Sequence, residues 1–172
     1  MTLDISELNA LPAAAAADLF ISCCGSSRWV KEMVDRRPFG SIEEVLMAAD
    51  QAWASTRESD WREAFAHHPR IGEKSSVATQ SALASTWSAG EQAGMSASTS
   101  VMRTELAKIN DEYEERFGHV YIVCATSKSA DELLAVAKER MTNDPETELK
   151  AAAEEQRKIT RLRLRKLFGD DT

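Results

Sequence analysis

The sequence predicts an all-α protein, a single-domain helical bundle of about eight helices over residues 1–172, with one short extended segment near 119–125. Three observations carry this reading. Apolar residues recur three and four apart through nearly every segment. The segments are punctuated by capping boxes and by proline and glycine stops. Only His119-Val120-Tyr121-Ile122-Val123-Cys124 is β-prone, and no second run of comparable strength could pair with it. A chain of 172 residues suffices for one sizeable core.

Taken in order, Pro12 fits the first turn of a helix that runs through the alanine run to Cys24, with Gly25 at its end. Ser26 or Ser27 can cap the next helix, which carries Trp29, Val30, Met33 and Val34 at helical spacing. Arg37-Pro38-Phe39-Gly40 breaks the chain. Ser41-Ile42-Glu43-Glu44 is a capping-box pattern, followed on one face by Ile42, Val45, Leu46, Ala49 and Trp53. Ser59 or Asp60 caps a short helix with Trp61 and Phe65, which delivers the chain to His68-Pro69. Residues 73–102 are rich in Ser, Ala, Thr and Gly, as a linker or a lid would be. Within them, Leu83 and Trp87, and Glu91 and Met95, stand four apart and suggest a helix from about Thr79 to Gly94. A strong helix follows from Met102 to Phe117, stopped by Gly118. After the extended segment, whose amides need partners or can serve a ligand, Ser129-Ala130-Asp131-Glu132 opens a helix through Met141. Asp144-Pro145 starts the last helix, which runs to about Phe168.

Net charge of -7 and a pI near 5.1 argue against nucleic acid, since the only local basic stretch is the C-terminal helix. No apolar run is long enough to cross a bilayer. The first residues lack the basic start of a secretory signal, which gives a cytoplasmic expectation. Three cysteines, two of them adjacent, suit reduced thiols better than a disulfide framework. There is no C-x-x-C and no H-E-x-x-H, so no metal site is expected.

Three places hold chemistry. His67 and His68 sit where a helix must stop, and Pro69 restricts His68 to extended angles. They can present an acid–base group, or simply decorate a helix end. In the last helix, Leu149, Ala152, Gln156, Ile159, Thr160 and Leu167 share one face at about 100° per residue. Arg163 projects into the middle of that face, as a structural ion pair, a stem packed with its head in water, or an anion clamp. Ser88-Ala89-Gly90-Glu91 is either another capping box or a pair of pocket residues one turn apart, with Gln92 beside them. His119 reads as a capping or packing residue next to Gly118.

In order and spacing these motifs resemble one family, the OHCU decarboxylases (2-oxo-4-hydroxy-4-carboxy-5-ureidoimidazoline decarboxylases of the urate-to-allantoin route). The resemblance runs through Cys23-Cys24-Gly25-Ser26-Ser27-Arg28-Trp29-Val30, Arg37-Pro38-Phe39, His68-Pro69-Arg70-Ile71-Gly72, Ser88-Ala89-Gly90-Glu91-Gln92 and Arg116-Phe117-Gly118-His119-Val120-Tyr121-Ile122-Val123. It continues in Arg140, Asn143 and Lys158-Ile159-Thr160-Arg161-Leu162-Arg163-Leu164. It implies an all-α, cofactor-free homodimer that forms (S)-allantoin. His68 would be the catalytic acid/base and Glu91 its acidic partner. Ser88, Gln92 and Arg163 would bind substrate, and Pro69 with the backbone of Gly118, His119, Val120, Tyr121 and Ile122 would line the pocket. Association with the preceding hydroxyisourate hydrolase is a further expectation. One departure is Ser127, where relatives commonly have glycine.

Two other readings make different demands. A non-enzymatic helical interaction module would scatter His68, Glu91 and Arg163. A metal-dependent hydrolase would bring His67, His68 and His119 together.

Overall fold

The computed structural model describes residues 3–73 and 80–170, the side chains of residues 96 and 97 excepted. Among these residues there is no strand. The helices are α1 (Ile5–Ala10), α2 (Ala13–Cys23), α3 (Ser27–Asp35), α4 (Ile42–Ala54), α5 (Glu58–Phe65), α6 (Ala82–Glu91), α7 (Ser100–Phe117), α8 (Ala130–Arg140) and α9 (Pro145–Leu167), with a 3₁₀ turn at Ala93–Ala97. The all-α expectation holds, with one helix more than about eight. The chain forms two compact units, Met1–Ala64 with Arg157–Thr172, and Phe65–Gln156.

In the first unit, the unexpected helix is α1. Its signal was present in Asp4-Ile5-Ser6-Glu7. Asp4 Oδ1 accepts from the Glu7 amide at 2.8 Å and Glu7 Oε2 accepts from the Asp4 amide at 2.9 Å, a reciprocal capping box. Pro12 is the N-cap of α2 rather than its first turn, and the helix ends because Cys24 turns extended (φ -147°). Ser26 caps α3, as expected. At α4, Ser41 caps the Glu44 amide, but the Glu44 carboxylate reaches Gly40 N at 2.6 Å, one residue earlier than a capping box requires. The α5 cap also differs. The helix starts at Glu58, and Asp60 works from inside, accepting from Arg57 N at 2.8 Å. Phe20 meets Trp29 edge-on at 6.0 Å, and Trp29 Nε1 donates to the Ala49 carbonyl at 3.0 Å, so the indole's one polar atom is satisfied inside the core. Ile159, Thr160, Arg163 and Leu167 of α9 are buried here, on the face the 100° winding placed inward, and Leu164 is buried with them. Arg157 and Arg161 both pair with Asp50, at 3.0 and 2.6 Å.

The second unit is centred on Leu106, Ile109, Tyr113 and Phe117 of α7, Leu133 and Ala137 of α8, and Tyr121, Val123 and Ala125 between them. Thr99 caps α7, which starts at Ser100, two residues ahead of the expected Met102, and Gly118 ends it in the left-handed region (φ 73°), as predicted. Helix α6 starts after its cap Ser81; the Thr79 start expected from sequence lies outside the described residues, as does part of the 73–102 segment. It stops at Glu91, short of Gly94. Its buried face is not the Leu83–Trp87 pair, since Leu83 is exposed; Ala84, Ser88 and Glu91 face inward instead. A Cβ at Gly94 would lie 2.1 Å from the Lys128 carbonyl oxygen, so glycine lets the 3₁₀ turn touch the loop before α8. In that loop Ser127 holds a left-handed φ of 64°, a conformation that glycine adopts without strain. Ser129 and Glu132 form the expected capping box of α8, and Asp144 accepts from the Glu146 and Thr147 amides at the start of α9.

Candidate active site

The turn after α5 is fastened from several sides. The His68 amide donates to the Phe65 carbonyl at 3.0 Å, and Pro69 follows outside any regular element. Arg70 reaches α7, pairing with Glu114 at 2.6 Å and Asp111 at 2.8 Å. Asn110, almost fully buried, donates to the Ile71 carbonyl at 2.9 Å. The Gly72 amide donates to Gln92 Oε1 at 2.9 Å. The turn is therefore fastened along residues 68 to 72, as a preorganised site requires.

His68 is buried, with 9% of its surface exposed. Its Nε2 lies 2.7 Å from Oε1 of Gln156, a fully buried residue of α9. Sequence reasoning placed Gln156 on the inward face of the last helix without giving it a role. The signal was there: an amide side chain in the middle of an apolar face must find a partner. His67 is only half-buried. His119 packs its ring against Phe65, Tyr113 and Phe117, with Nδ1 2.9 Å from the Val120 carbonyl, the packing role expected of it. Among the described residues no group of three His, Cys, Asp or Glu side chains converges as metal ligands.

Ser88 and Glu91 are both buried on one face of α6, so the Ser-x-x-Glu pair is not a capping box: Ser88 lies inside the helix and Glu91 ends it. Ser88 Oγ accepts from Gln80 Nε2 at 2.8 Å. Pro69, Gly72, Gln80, Ser88, Gln92 and Arg103 are among the residues lining a cavity of about 730 Å³. Three of the expected site residues, Pro69, Ser88 and Gln92, therefore share one cavity, and His68 and Glu91 are their chain neighbours. That volume lies within the usual range for small-molecule pockets.

The extended segment is held by α8 and α9. Arg140 Nη1 donates to the Ile122 carbonyl at 2.6 Å, and Glu155 Oε2 accepts from the Cys124 amide at 2.7 Å. Arg140 is itself fixed by Glu148, which is fully buried and also accepts from Tyr113 Oη and from Asn143 Nδ2. Among the described residues no acceptor is bonded to the amides of Tyr121 and Ile122. Tyr121 and Ile122 are both buried. Burial pushes the Cys124 thiol up, helped by the negative charges of Glu155 and Glu91.

Arg163 belongs to the first unit. The residue is 3% exposed, which does not fit a head reaching out into water, and Nη1 lies 3.4 Å from the Ser22 carbonyl. Its charge draws the neighbouring Cys24 thiol down, but burial dominates and pushes that thiol up to about 12.

These features define an all-α protein in which a buried histidine on a fastened turn directly precedes a proline that lines a cavity. The chain belongs to the OHCU decarboxylase family, whose model matches residues 9–165. It is 42% identical over 149 residues to the uric acid degradation bifunctional protein TTL of Arabidopsis thaliana, covering 86% of this chain and 46% of that protein. It therefore spans less than half the length of that relative. It is 27% identical over 173 residues to the 2-oxo-4-hydroxy-4-carboxy-5-ureidoimidazoline decarboxylase of Haloferax volcanii, covering 98% of each chain. A crystal structure of OHCU decarboxylase in the presence of (S)-allantoin superposes with a TM-score of 0.77 at 35% identity, covering 89% of this chain and 99% of that one.

Proposed function

We propose that this protein decarboxylates 2-oxo-4-hydroxy-4-carboxy-5-ureidoimidazoline to (S)-allantoin in urate breakdown, without a cofactor. Beside the family match, the observation that supports the proposal is that Pro69, Ser88 and Gln92 line one cavity within one unit, with His68 and Glu91 their neighbours in the chain.

The chemistry follows from the substrate's bonds. The C4–carboxylate bond breaks and carbon dioxide leaves. Its electron pair enters the neighbouring ring C=N bond, whose nitrogen takes a proton from solvent. The C4 hydroxyl then becomes the carbonyl as a proton is delivered to the carbon bearing the ureido group. A fixed array of hydrogen-bond donors stabilises the negative charge while it is spread over the ring. His68 is the acid/base that takes the hydroxyl proton and supplies the one that sets the stereocentre. Glu91 is its acidic partner and accepts from the ureido or hydroxyl group. Ser88, Gln92 and Pro69 position the ring. The backbone of Gly118, His119, Val120, Tyr121 and Ile122 offers amides to carbonyl oxygens, and Arg163 binds an anionic or carbonyl oxygen of the substrate. Delivery from one face gives one enantiomer.

The family match runs across both units, which supports reading residues 1–172 as one family domain. A homodimer in the cytoplasm, associated with the hydrolase that makes the substrate, completes the reading. The bifunctional name of the Arabidopsis relative supports that association.

The test is a coupled assay with chelator present. Urate is oxidised, its product hydrolysed to the ureidoimidazoline, and circular dichroism follows the product. Rapid appearance of one enantiomer, lost in His68→Asn, is expected. Slow racemic product from folded wild-type protein would overturn the proposal.

A further inference from the structure

We infer that Arg103 is a substrate-binding residue: its guanidinium receives the C4 carboxylate, the group that leaves as carbon dioxide, and it sets affinity and salt sensitivity rather than the rate of bond cleavage. The inference rests on the decarboxylase reading of the cavity.

The first support is place and charge. Arg103 lies near the start of α7 and lines the same cavity as Pro69, Ser88 and Gln92. Among the described lining residues it is the only cation. One other lining residue is charged, Glu73, and it pairs with Arg70 at 3.4 Å. A carboxylate entering the cavity is repelled by Glu73 and drawn to Arg103, so the charges give an anionic substrate one orientation.

The second support is how the guanidinium is held. Its Nε donates to Ser98 Oγ at 3.0 Å, and Ser98 Oγ donates to the Met95 carbonyl at 2.7 Å. Met95 is buried in the core of this unit. One edge of the guanidinium is thus tied to fixed backbone. Among the described residues no acceptor meets Nη1 or Nη2, and no carboxylate pairs with the group. Arg70, Arg140, Arg157 and Arg161, by contrast, each have an acidic partner. With Nε engaged, Arg103 offers its Nη1–Nη2 edge, two parallel donors whose spacing matches the two oxygens of a carboxylate.

The third support is the direction in which charge moves. Before the bond to C4 breaks, the negative charge sits on the carboxylate, and during cleavage it passes into the ring. A cation on the carboxylate holds the ground state at least as well as the transition state, so it strengthens binding without speeding cleavage. The product has no carboxylate, loses this contact and is free to leave.

The experiment is the coupled assay, run over substrate and salt concentration on wild type, Arg103→Gln and Arg103→Lys. Arg103→Gln should raise KM about five- to thirty-fold, the loss of one charge-assisted pair, with kcat within about two-fold of wild type. Arg103→Lys keeps the charge without the fork and should fall between them. The wild-type KM should rise with ionic strength, and that dependence should flatten in Arg103→Gln. Inhibition by (S)-allantoin, which is neutral, should change less than about two-fold in the same variant, a readout that general damage to the cavity would not spare. An unchanged KM in Arg103→Gln, an equal weakening of allantoin, or a fall in kcat at constant KM overturns the inference. Turnover by wild type alone decides the decarboxylase reading, so the two failures are distinguishable.

Discussion

Removing the Glu148 carboxylate should be among the most damaging single changes outside the apolar core. Glu148 has no exposed surface, and Arg140, 8% exposed, donates to it through Nε at 2.8 Å and also through Nη2. Tyr113 and Asn143 donate to the same carboxylate. Glu148→Leu leaves a buried guanidinium with its main counter-charge gone, a loss of about 3–5 kcal/mol. For a chain of this size that lowers Tm by about 6–20 °C, using about 2–4 °C per kcal/mol. Arg140→Met should cost a similar amount from the other side. Removing both charges together leaves no buried ion, so the double variant should be more stable than either single one, with a coupling of about 2–3 kcal/mol. Thermal and urea unfolding followed by far-ultraviolet circular dichroism measure all four corners of the cycle. Activity separates the network's two tasks. Arg140 also holds the Ile122 carbonyl at 2.6 Å, so the double variant should recover stability yet stay slow. Single variants within about 1 kcal/mol of wild type, or strictly additive costs, would refute this account of the network.

Two further predictions concern the backbone and the buried ionisable groups. Ser127 holds a left-handed φ of 64° on an exposed loop, so Ser127→Gly should stabilise the protein by about 1 kcal/mol or less, read as a rise in Tm; a fall would mean the serine has a role its conformation does not reveal. Burial pushes the Tyr113 and Tyr121 phenols above their usual range, against a partial pull-back by Arg140, and pushes the Cys24 thiol up to about 12. The folded protein thus keeps protons that the unfolded chain begins to release above about pH 10 for tyrosine and about 8.5 for cysteine. Their contribution is complete below those values and lost as pH rises toward the folded values. These are the only two tyrosines, so tyrosinate absorbance should appear together with loss of helical signal, and Cys24 should resist alkylation at neutral pH. Tyrosinate forming near pH 10 in intact protein would contradict the burial argument.

Much of the fold is written locally. Capping residues at Ser26, Thr99, Ser129 and Asp144 act within three residues of themselves, so their helix starts can be read from sequence or nearly so. The capping box of α1 was equally local and simply went unread. The inward face of α9 followed from helical periodicity, including the burial of Arg163. Where periodicity misled, at α6, the cause is physical: the inward face carries Ser88 and Glu91, and the one large aliphatic side chain points out, so a pattern that equates apolar with buried selects the wrong side.

The sequence by itself determined the helices, their stops, the fixed turn at His68-Pro69 and, through motif order, the family, because each of these depends on residues near one another in the chain. Only the tertiary structure decided which side chains meet. Gln156 reaches His68 across 88 residues, Asn110 holds the Ile71 carbonyl across 39, and Glu148 joins Tyr113 across 35. Hydrogen bonds are satisfied in space rather than in sequence. A buried polar residue announces that it has a partner, and the packing of the helices determines which one.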